Sequence, residues 1–154
     1  MHVRDATQED CPRLALLVRK MVEEMAQLGH YPVTRDPAVW GSLESELGQD
    51  IADDEAFLFV VDRGDELAAL LWGRIMLPHP VFEPQRLLHI SGVYVSPDLR
   101  RQGLARRLLQ RCLDWGRGKG CARAELNVLR NSPARSLYSL MGFDTFELHM
   151  VRDL

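Results

Sequence analysis

The sequence has few cysteines and no long apolar run, and each absence excludes a class of protein. Its three cysteines are odd in number and form no CxxC motif, which predicts reduced thiols without a disulfide framework or a zinc site. No apolar run approaches the roughly 20 residues of a membrane-spanning helix, so no membrane partner is expected. The first residues, MHVRDATQED, lack the apolar core of a signal peptide, which predicts a cytoplasmic location.

The motifs of two common nucleotide-binding folds are also missing. There is no GxxxxGK[ST] motif for a nucleoside triphosphate, and no GxGxxG follows a strand near the N-terminus. The 154 residues contain no internal repeat and no Gly/Ser-rich linker, which predicts one domain over residues 1–154. The 46% hydrophobic and 27% charged fractions are typical of a globular protein.

The net charge of −3 is unevenly distributed along the chain. Residues 1–77 carry 7 Lys and Arg against 15 Asp and Glu, a net of −8, whereas residues 78–154 carry a net of +5. An anionic ligand would favour the second half and a cationic ligand the first. Solvated surface charge without a function is the alternative.

The pattern of apolar residues predicts alternating helices and strands. Helices are expected over 8–28, 37–48 and 103–118, and from Ser132, with Asn131 as N-cap, to Gly142. Strands are expected as a hairpin within 56–77 and over 87–95, 122–128 and 143–151. Gly92 indicates a bulge or a close backbone approach. Because the hairpin is antiparallel and the later strands are joined by helices, we expect an α/β fold with a mixed sheet.

The segment VYVSPDLRRQGLARRLLQ indicates an anion-binding turn. The first turn of a helix offers free backbone N–H groups and the positive end of the helix dipole, which together favour phosphate. Gly103 would let the backbone approach a ligand, and the small Ala105 would leave the path clear. Positive charge is added by Arg100, Arg101, Arg106 and Arg107. These arginines could instead bind nucleic acid, but the overall acidity and the lack of interleaved aromatic residues argue against that partner.

Two motifs resemble those of the GNAT superfamily, the acetyl-CoA-dependent N-acetyltransferases. The pattern R-x-x-G-x-A at Arg100, Gly103 and Ala105 is similar to the family's [RQ]-x-x-G-x-[GA], which follows a V-x-V strand end. The segment NSPARSLYSLMGF, residues 131–143, matches the family's N-x-x-A-x-x-[LF]-Y-x-x-x-G-F. The order of elements, which begins with a strand, also agrees. The resemblance therefore covers essentially the whole chain and implies a GNAT-like fold.

The resemblance implies a site for acetyl-CoA between two neighbouring strands. No metal is expected, because His2, His30, His79 and His149 share no spacing that suggests a metal site. Backbone groups of Val93 and Val95 would pair with the pantetheine arm, amides from Arg101 to Ala105 would hold the pyrophosphate, and Asn131 would hydrogen-bond the pantetheine. The cofactor-binding residues so implied are Val93, Tyr94, Val95, Arg100, Arg101, Gln102, Gly103, Leu104, Ala105, Arg106, Asn131 and Tyr138.

The resemblance also implies direct attack of an amine on the thioester in a ternary complex. The acceptor would be a primary amine of a small molecule or a peptide. Tyr138 matches the family tyrosine that donates a proton to the departing thiolate, although core aromatic packing is the alternative. A non-catalytic acyl-CoA-binding module, or sensor, is the competing function. Homodimers are common in the family, and no stretch of the sequence identifies an interface.

The general base is less well defined. His89 falls where the family often places a Glu or a His, and an imidazole can accept a proton directly or through a water held by Ser91. Strand alternation predicts that His89, Ser91, Val93 and Val95 share one face. Glu125, or a chain of waters, is the alternative base.

Overall fold

The fold is a mixed sheet with helices on both faces. The computed structural model describes residues 1–29 and 32–154. The strands are β1 (His2–Asp5), β2 (Ala56–Asp62), β3 (Leu67–Met76), β4 (Leu87–Val95) and β5 (Arg123–Leu126). The helices are α1 (Cys11–Gly29), α2 (Pro37–Ala52), α3 (Leu104–Gly118) and α4 (Arg135–Leu140). None of these described helices is long and apolar enough to cross a membrane.

The strands lie in the order β1-β2-β3-β4-β5. The first four are antiparallel to their neighbours, whereas β5 runs parallel to β4, to which α3 connects it. A parallel neighbour needs such a crossover, because a tight turn can only reverse the chain. The predicted mixed sheet and hairpin are therefore confirmed.

Each face of the sheet carries its own apolar core. On what we call the α1 face, the helices α1 and α2 pack on the sheet; Leu14 and Val60 are fully buried there. On the opposite α3 face, the helix predicted over 103–118 is confirmed as α3, and its Leu108, Leu109 and Cys112 are fully buried against the sheet. Burial raises the pKa of the Cys112 thiol to about 12.

A charged cluster joins β1 to the start of α1. The Asp10 carboxylate is 1% exposed and accepts hydrogen bonds from Arg4 at 2.6 and 2.9 Å. It also accepts from the Thr7 amide and from Arg13, and Arg4 bonds Asp62 at the end of β2. The Arg4 guanidinium and the backbone bond lower the pKa of Asp10 strongly, although burial opposes this shift.

The predicted last strand does not form. Within the described residues, 143–151 make no strand after the left-handed turn at Gly142, whose φ is +87°. Phe146, Leu148 and Met150 alternate as in a strand, yet they are 76%, 81% and 88% exposed. An alternating pattern shows that a segment suits a pleated, half-buried surface. The segment forms a strand only when a neighbouring strand supplies that surface. The predicted strand at 122–128 is likewise shortened to the four residues of β5.

Candidate active site

The turn predicted to bind an anion has a left-handed backbone directly before α3. Arg101 and Gly103 adopt left-handed φ values of +64° and +78°, and α3 begins at the next residue, Leu104. The amide of Arg107 donates to the Gly103 carbonyl at 3.0 Å, so the amides of 104–106 have no acceptor within the helix. A Cβ at Gly103 would meet no atom within 4 Å. Glycine is therefore favoured by the backbone conformation, and the space in front of the turn is open.

The side chains around this turn differ in their exposure to solvent. Arg101, Gln102 and Arg106 are exposed, whereas the Leu104 side chain is buried in the core and Ala105 is half-buried. Leu104 can therefore contribute only its backbone amide to this turn.

Arg100 does not add a free charge to the turn. Its Nε donates to the Val95 carbonyl at 3.0 Å, its Nη2 lies 2.6 Å from the Glu24 carboxylate on α1, and its guanidinium stacks on the Tyr94 ring. The Glu24 carboxylate raises the pKa of Arg100. The expectation that Arg100 contributes charge to the anion site is corrected here, because its charge is neutralised by Glu24. Glu24 lies 76 residues away along the chain, and no local pattern indicated the pair.

The edge of β4 becomes free directly after its last pairing with β5. The two strands pair from Leu87 with Arg123 to Ile90 with Leu126, and they separate beyond that register. The Ser96 amide donates to the Ala68 carbonyl of β3, so alternation turns the backbone groups of Val93 and Val95 away from β3, towards the gap.

Tyr94 does not share this orientation. By the same alternation its backbone groups pair with Leu70 of β3, and its ring is buried on the α1 face beneath Arg100. The structure therefore brings Val93 and Val95 to the gap and places Tyr94 elsewhere.

The bulge that Gly92 predicted is present in β4. Trp72 of β3 pairs with Gly92, and the next residue, Gly73, pairs with Ile90, which leaves Ser91 as the extra residue. A Cβ at Gly92 would lie 2.3 Å from the Trp72 ring, so the indole requires a glycine beneath it. Trp72 was not predicted from the sequence, although one bulky aromatic residue among the aliphatic residues of this strand was a usable signal.

The bulge reverses the alternation that had placed His89 beside Val93 and Val95. Ile90, Val93 and Val95 all pack against the α3-face core, so His89, which precedes Ile90, points to the α1 face. The prediction of one shared face was therefore wrong, because the extra residue Ser91 shifts the period of two.

The two candidate bases lie in direct contact. His89 and Glu125 are register partners on β4 and β5, and His89 Nδ1 lies 3.2 Å from Glu125 Oε1. Their side chains are 24% and 42% exposed, so the pair is accessible from solvent. It lies one residue before the point where the strands separate. A carboxylate bound at Nδ1 leaves Nε2 of the imidazole free to accept a proton.

Tyr138 on α4 packs against the α3-face core. Its ring meets Phe143 edge-on at 6.1 Å, and burial raises the pKa of its phenol. No hydrogen bond among the described residues engages the Tyr138 hydroxyl, so its proton is available for donation.

Asn131 is not the N-cap that the sequence predicted. The helix α4 begins at Arg135, and Ser132 caps the turn before it: its Oγ accepts from the Ala134 amide at 3.3 Å. The Asn131 Nδ2 instead donates to the Leu28 carbonyl near the end of α1 at 3.0 Å. The segment NSPAR offers two residues of capping type, Asn131 and Ser132. The prediction chose the first of them, whereas the structure uses the second.

Other features of the surface lie apart from this site. A groove of about 740 Å³ runs between β1 and α3, at the far edge of the sheet. Arg107, which the sequence placed among the cations of the turn, lines this groove instead. Within residues 1–29 and 32–154, no group of three or more His, Cys, Asp and Glu side chains is arranged to hold a metal ion.

Several solved structures have the same fold at low sequence identity. A tetramutant of the BH1408 protein from Bacillus halodurans superposes with a TM-score of 0.85 at 20% identity, covering 100% of both chains. A transcriptional regulator from Bacillus halodurans gives 0.76 at 18% identity, with 99% of both chains covered. The aminoglycoside N-acetyltransferase AAC(6')-Iy in complex with CoA gives 0.72 at 15% identity, with 99% of this chain and 98% of that chain covered.

The sequence itself matches one family model. A search of curated proteins gave no match. The model of the acetyltransferase (GNAT) family matches residues 20–143, which include the anion-binding turn, the His89–Glu125 pair and Tyr138. The chain therefore belongs to the GNAT family of acetyltransferases.

Proposed function

We propose that this acetyltransferase transfers the acetyl group of acetyl-CoA to a primary amine of a small molecule or a peptide. The observation that carries the proposal is the continuity of two backbone sites. The edge of β4 is open at Val93 and at the Val95 amide, while the Val95 carbonyl accepts from Arg100 Nε at 3.0 Å. This edge runs directly into the turn at Arg101 and Gly103, where the amides of 104–106 have no acceptor within the helix and the space beside Gly103 is open.

This continuity fits the shape of an acyl-CoA. Amides from Arg101 to Ala105, with the free guanidinium groups of Arg101 and Arg106, would hold the pyrophosphate. The edge of β4 would hydrogen-bond the amide groups of the pantetheine arm as an added strand does. Acetyl-CoA supplies the activated thioester when it is bound.

Proton transfer is then assigned to two groups on opposite faces of the sheet. His89 Nε2, with its other ring nitrogen held by Glu125, accepts the proton that the attacking amine loses as its nitrogen bonds the carbonyl carbon. Tyr138, on the α3 face, donates its proton to the sulfur as the carbon–sulfur bond breaks. No covalent enzyme intermediate is needed in this order of reaction steps.

The acceptor is proposed to carry positive charge. The first half of the chain, which supplies α1 and α2, has a net charge of −8. An acidic surface raises the local concentration of a cationic amine. Such a surface would attract a cationic amine on a small molecule and one on a peptide equally well.

Calorimetric titration of the purified protein with acetyl-CoA tests whether the protein binds this donor, with CoA, ATP and NAD as comparisons. Saturable binding of acetyl-CoA and CoA alone is expected. A folded protein that binds neither of them would overturn the assignment of the turn, and with it the roles of His89 and Tyr138.

A screen of amines, with Tyr138→Phe as the matched variant, tests whether the protein transfers the acetyl group to an amine. We expect turnover by the wild-type protein and a loss of turnover in the variant, with acetyl-CoA affinity retained. Binding without turnover in both proteins would favour the non-catalytic acyl-CoA-binding module instead.

A further inference from the structure

The C-terminal end of α1 is hydrogen-bonded to both sides of the gap between β4 and β5. The Glu24 carboxylate accepts from Arg100, in the segment that follows β4, at 2.6 Å. The Leu28 carbonyl accepts from Asn131, in the segment that follows β5, at 3.0 Å. Residues four apart in a helix lie on the same side of it, so Glu24 and Leu28 form one surface. We call these two contacts the α1 clamp.

Both side chains that the α1 clamp holds belong to the predicted donor site. The sequence predicts that Arg100 and Asn131 bind acetyl-CoA, whereas in the structure both donate to α1. The Leu28 carbonyl is able to accept because the carbonyls of the last turn of a helix have no partner within that helix. The contact between Glu24 and Arg100 joins two charged groups, which makes it the stronger of the two.

Arg100 also occupies part of the strand edge that an acyl-CoA would use. Its Nε lies 3.0 Å from the Val95 carbonyl, which is turned towards the gap. A strand added to a sheet lies about 4.8 Å from its neighbour, so the Arg100 guanidinium lies within the space of a pantetheine arm paired with β4. The Tyr94 ring and the Glu24 carboxylate hold the guanidinium in this position. The pantetheine arm and Arg100 would therefore compete for the Val95 carbonyl.

We propose that Glu24 sets the affinity for acyl-CoA by holding Arg100 against the edge of β4, in a clamp that the donor has to open. The inference rests on the proposed function and adds to it a residue that lowers donor affinity. If only molecules with an open clamp bind the donor fully, the apparent affinity falls in proportion to their fraction. The Glu24 and Arg100 side chains are 36% and 38% exposed, so opening the pair leaves no buried charge behind.

Calorimetric titration with acetyl-CoA tests the role of Glu24. The substitution Glu24→Gln keeps the size of the side chain and removes the charge that holds Arg100. We expect the dissociation constant of acetyl-CoA to fall about threefold, the effect of losing one half-exposed ion pair. Glu23→Gln is the matched control, because Glu23 lies on the same helix and pairs only with Arg19 among the described residues. This variant has the same net charge and should bind acetyl-CoA as the wild type does.

A double-mutant cycle separates the clamp from a general effect of charge. In an Arg100→Ala background, Glu24→Gln should leave the dissociation constant unchanged, because no arginine remains for Glu24 to hold. A threefold gain that persists without Arg100, or an equal gain in Glu23→Gln, would overturn the proposal. Either result would show that the carboxylate acts on the anionic donor directly.

Hydrogen exchange of the backbone amides in 25–29 gives a measurement that does not depend on turnover. Binding of CoA should open the α1 clamp and make these amides exchange about threefold faster, since the end of α1 loses its contacts. In Glu24→Gln the same amides should exchange faster before CoA is added. Slower exchange on CoA binding, or a lower acetyl-CoA affinity in Glu24→Gln, would overturn the inference and leave the proposed function intact. A wild type and variants that all fail to bind acetyl-CoA would overturn the proposed function and the inference with it.

Discussion

The charged cluster around Asp10 predicts a large and pH-dependent contribution to stability. Asp10→Asn removes a carboxylate that is 1% exposed and that accepts hydrogen bonds from Arg4, Arg13 and the Thr7 amide. Removing one partner of a buried ion pair costs about 3–5 kcal/mol. Because Arg4 keeps its hydrogen bonds to Asp62, we expect the free energy of unfolding to fall by the lower end of this range, about 3 kcal/mol.

The assay is thermal unfolding followed by circular dichroism. For a chain of this length about 1 kcal/mol lowers Tm by about 2–4 °C, so Asp10→Asn should lower it by about 6–12 °C. Asp114→Asn is the matched control, because Asp114 pairs with Arg117 but is 60% exposed. An exposed pair contributes less than about 1 kcal/mol.

The pH dependence separates the charge of Asp10 from its packing. The pKa of Asp10 is lowered in the folded protein, so its carboxylate stabilises the fold above the ordinary value of about 3.9. That contribution to the free energy of unfolding is lost as the pH falls from the ordinary pKa of about 3.9 towards the lowered pKa of the folded protein. The difference in Tm between wild type and Asp10→Asn should therefore shrink below about pH 4. An equal Tm at neutral pH, or a difference that does not shrink in acid, would refute the reasoning.

Four further substitutions test the site. Gly103→Ala places a side chain at φ +78°, which costs about 1–2 kcal/mol, and calorimetry should show about a tenfold loss of acetyl-CoA affinity. Tyr138→Phe should lower kcat by about 10²–10⁴ while the dissociation constant of acetyl-CoA is unchanged. His89→Gln should lower kcat similarly, and its activity should recover as rising pH increases the fraction of neutral amine. Gly92→Ala forces the Trp72 ring to move, and urea unfolding should show a loss of about 1–3 kcal/mol.

The elements that the sequence predicted well are those whose pattern is local and long. The helix α3 has four turns of apolar spacing, and the structure buries Leu108 and Leu109 fully as that spacing requires. The turn that opens α3 was equally local, since one glycine and the start of one helix define it. The strand β1 had too few residues, HVRD, for its own pattern to indicate it.

The features that the sequence did not predict depend on partners distant along the chain. The role of Arg100 depends on Glu24, and the position of Asn131 depends on the Leu28 carbonyl. A single extra residue, Ser91, moved His89 to the other face, since a period of two has no tolerance for an insertion. The last strand does not form within the described residues, because its alternating apolar side chains meet no partner surface there.

The burial of the cysteines has a consequence for enzyme kinetics. A thiol accepts an acyl group by attacking the acyl donor as its thiolate, and the pKa of about 12 leaves about one part in 10⁴ of Cys112 ionised at pH 8. Burial also raises the pKa of Cys11 and Cys121. Relay of an acetyl group through these sulfurs is therefore disfavoured. Initial-velocity plots at several fixed amine concentrations should give intersecting lines rather than the parallel lines of a ping-pong reaction.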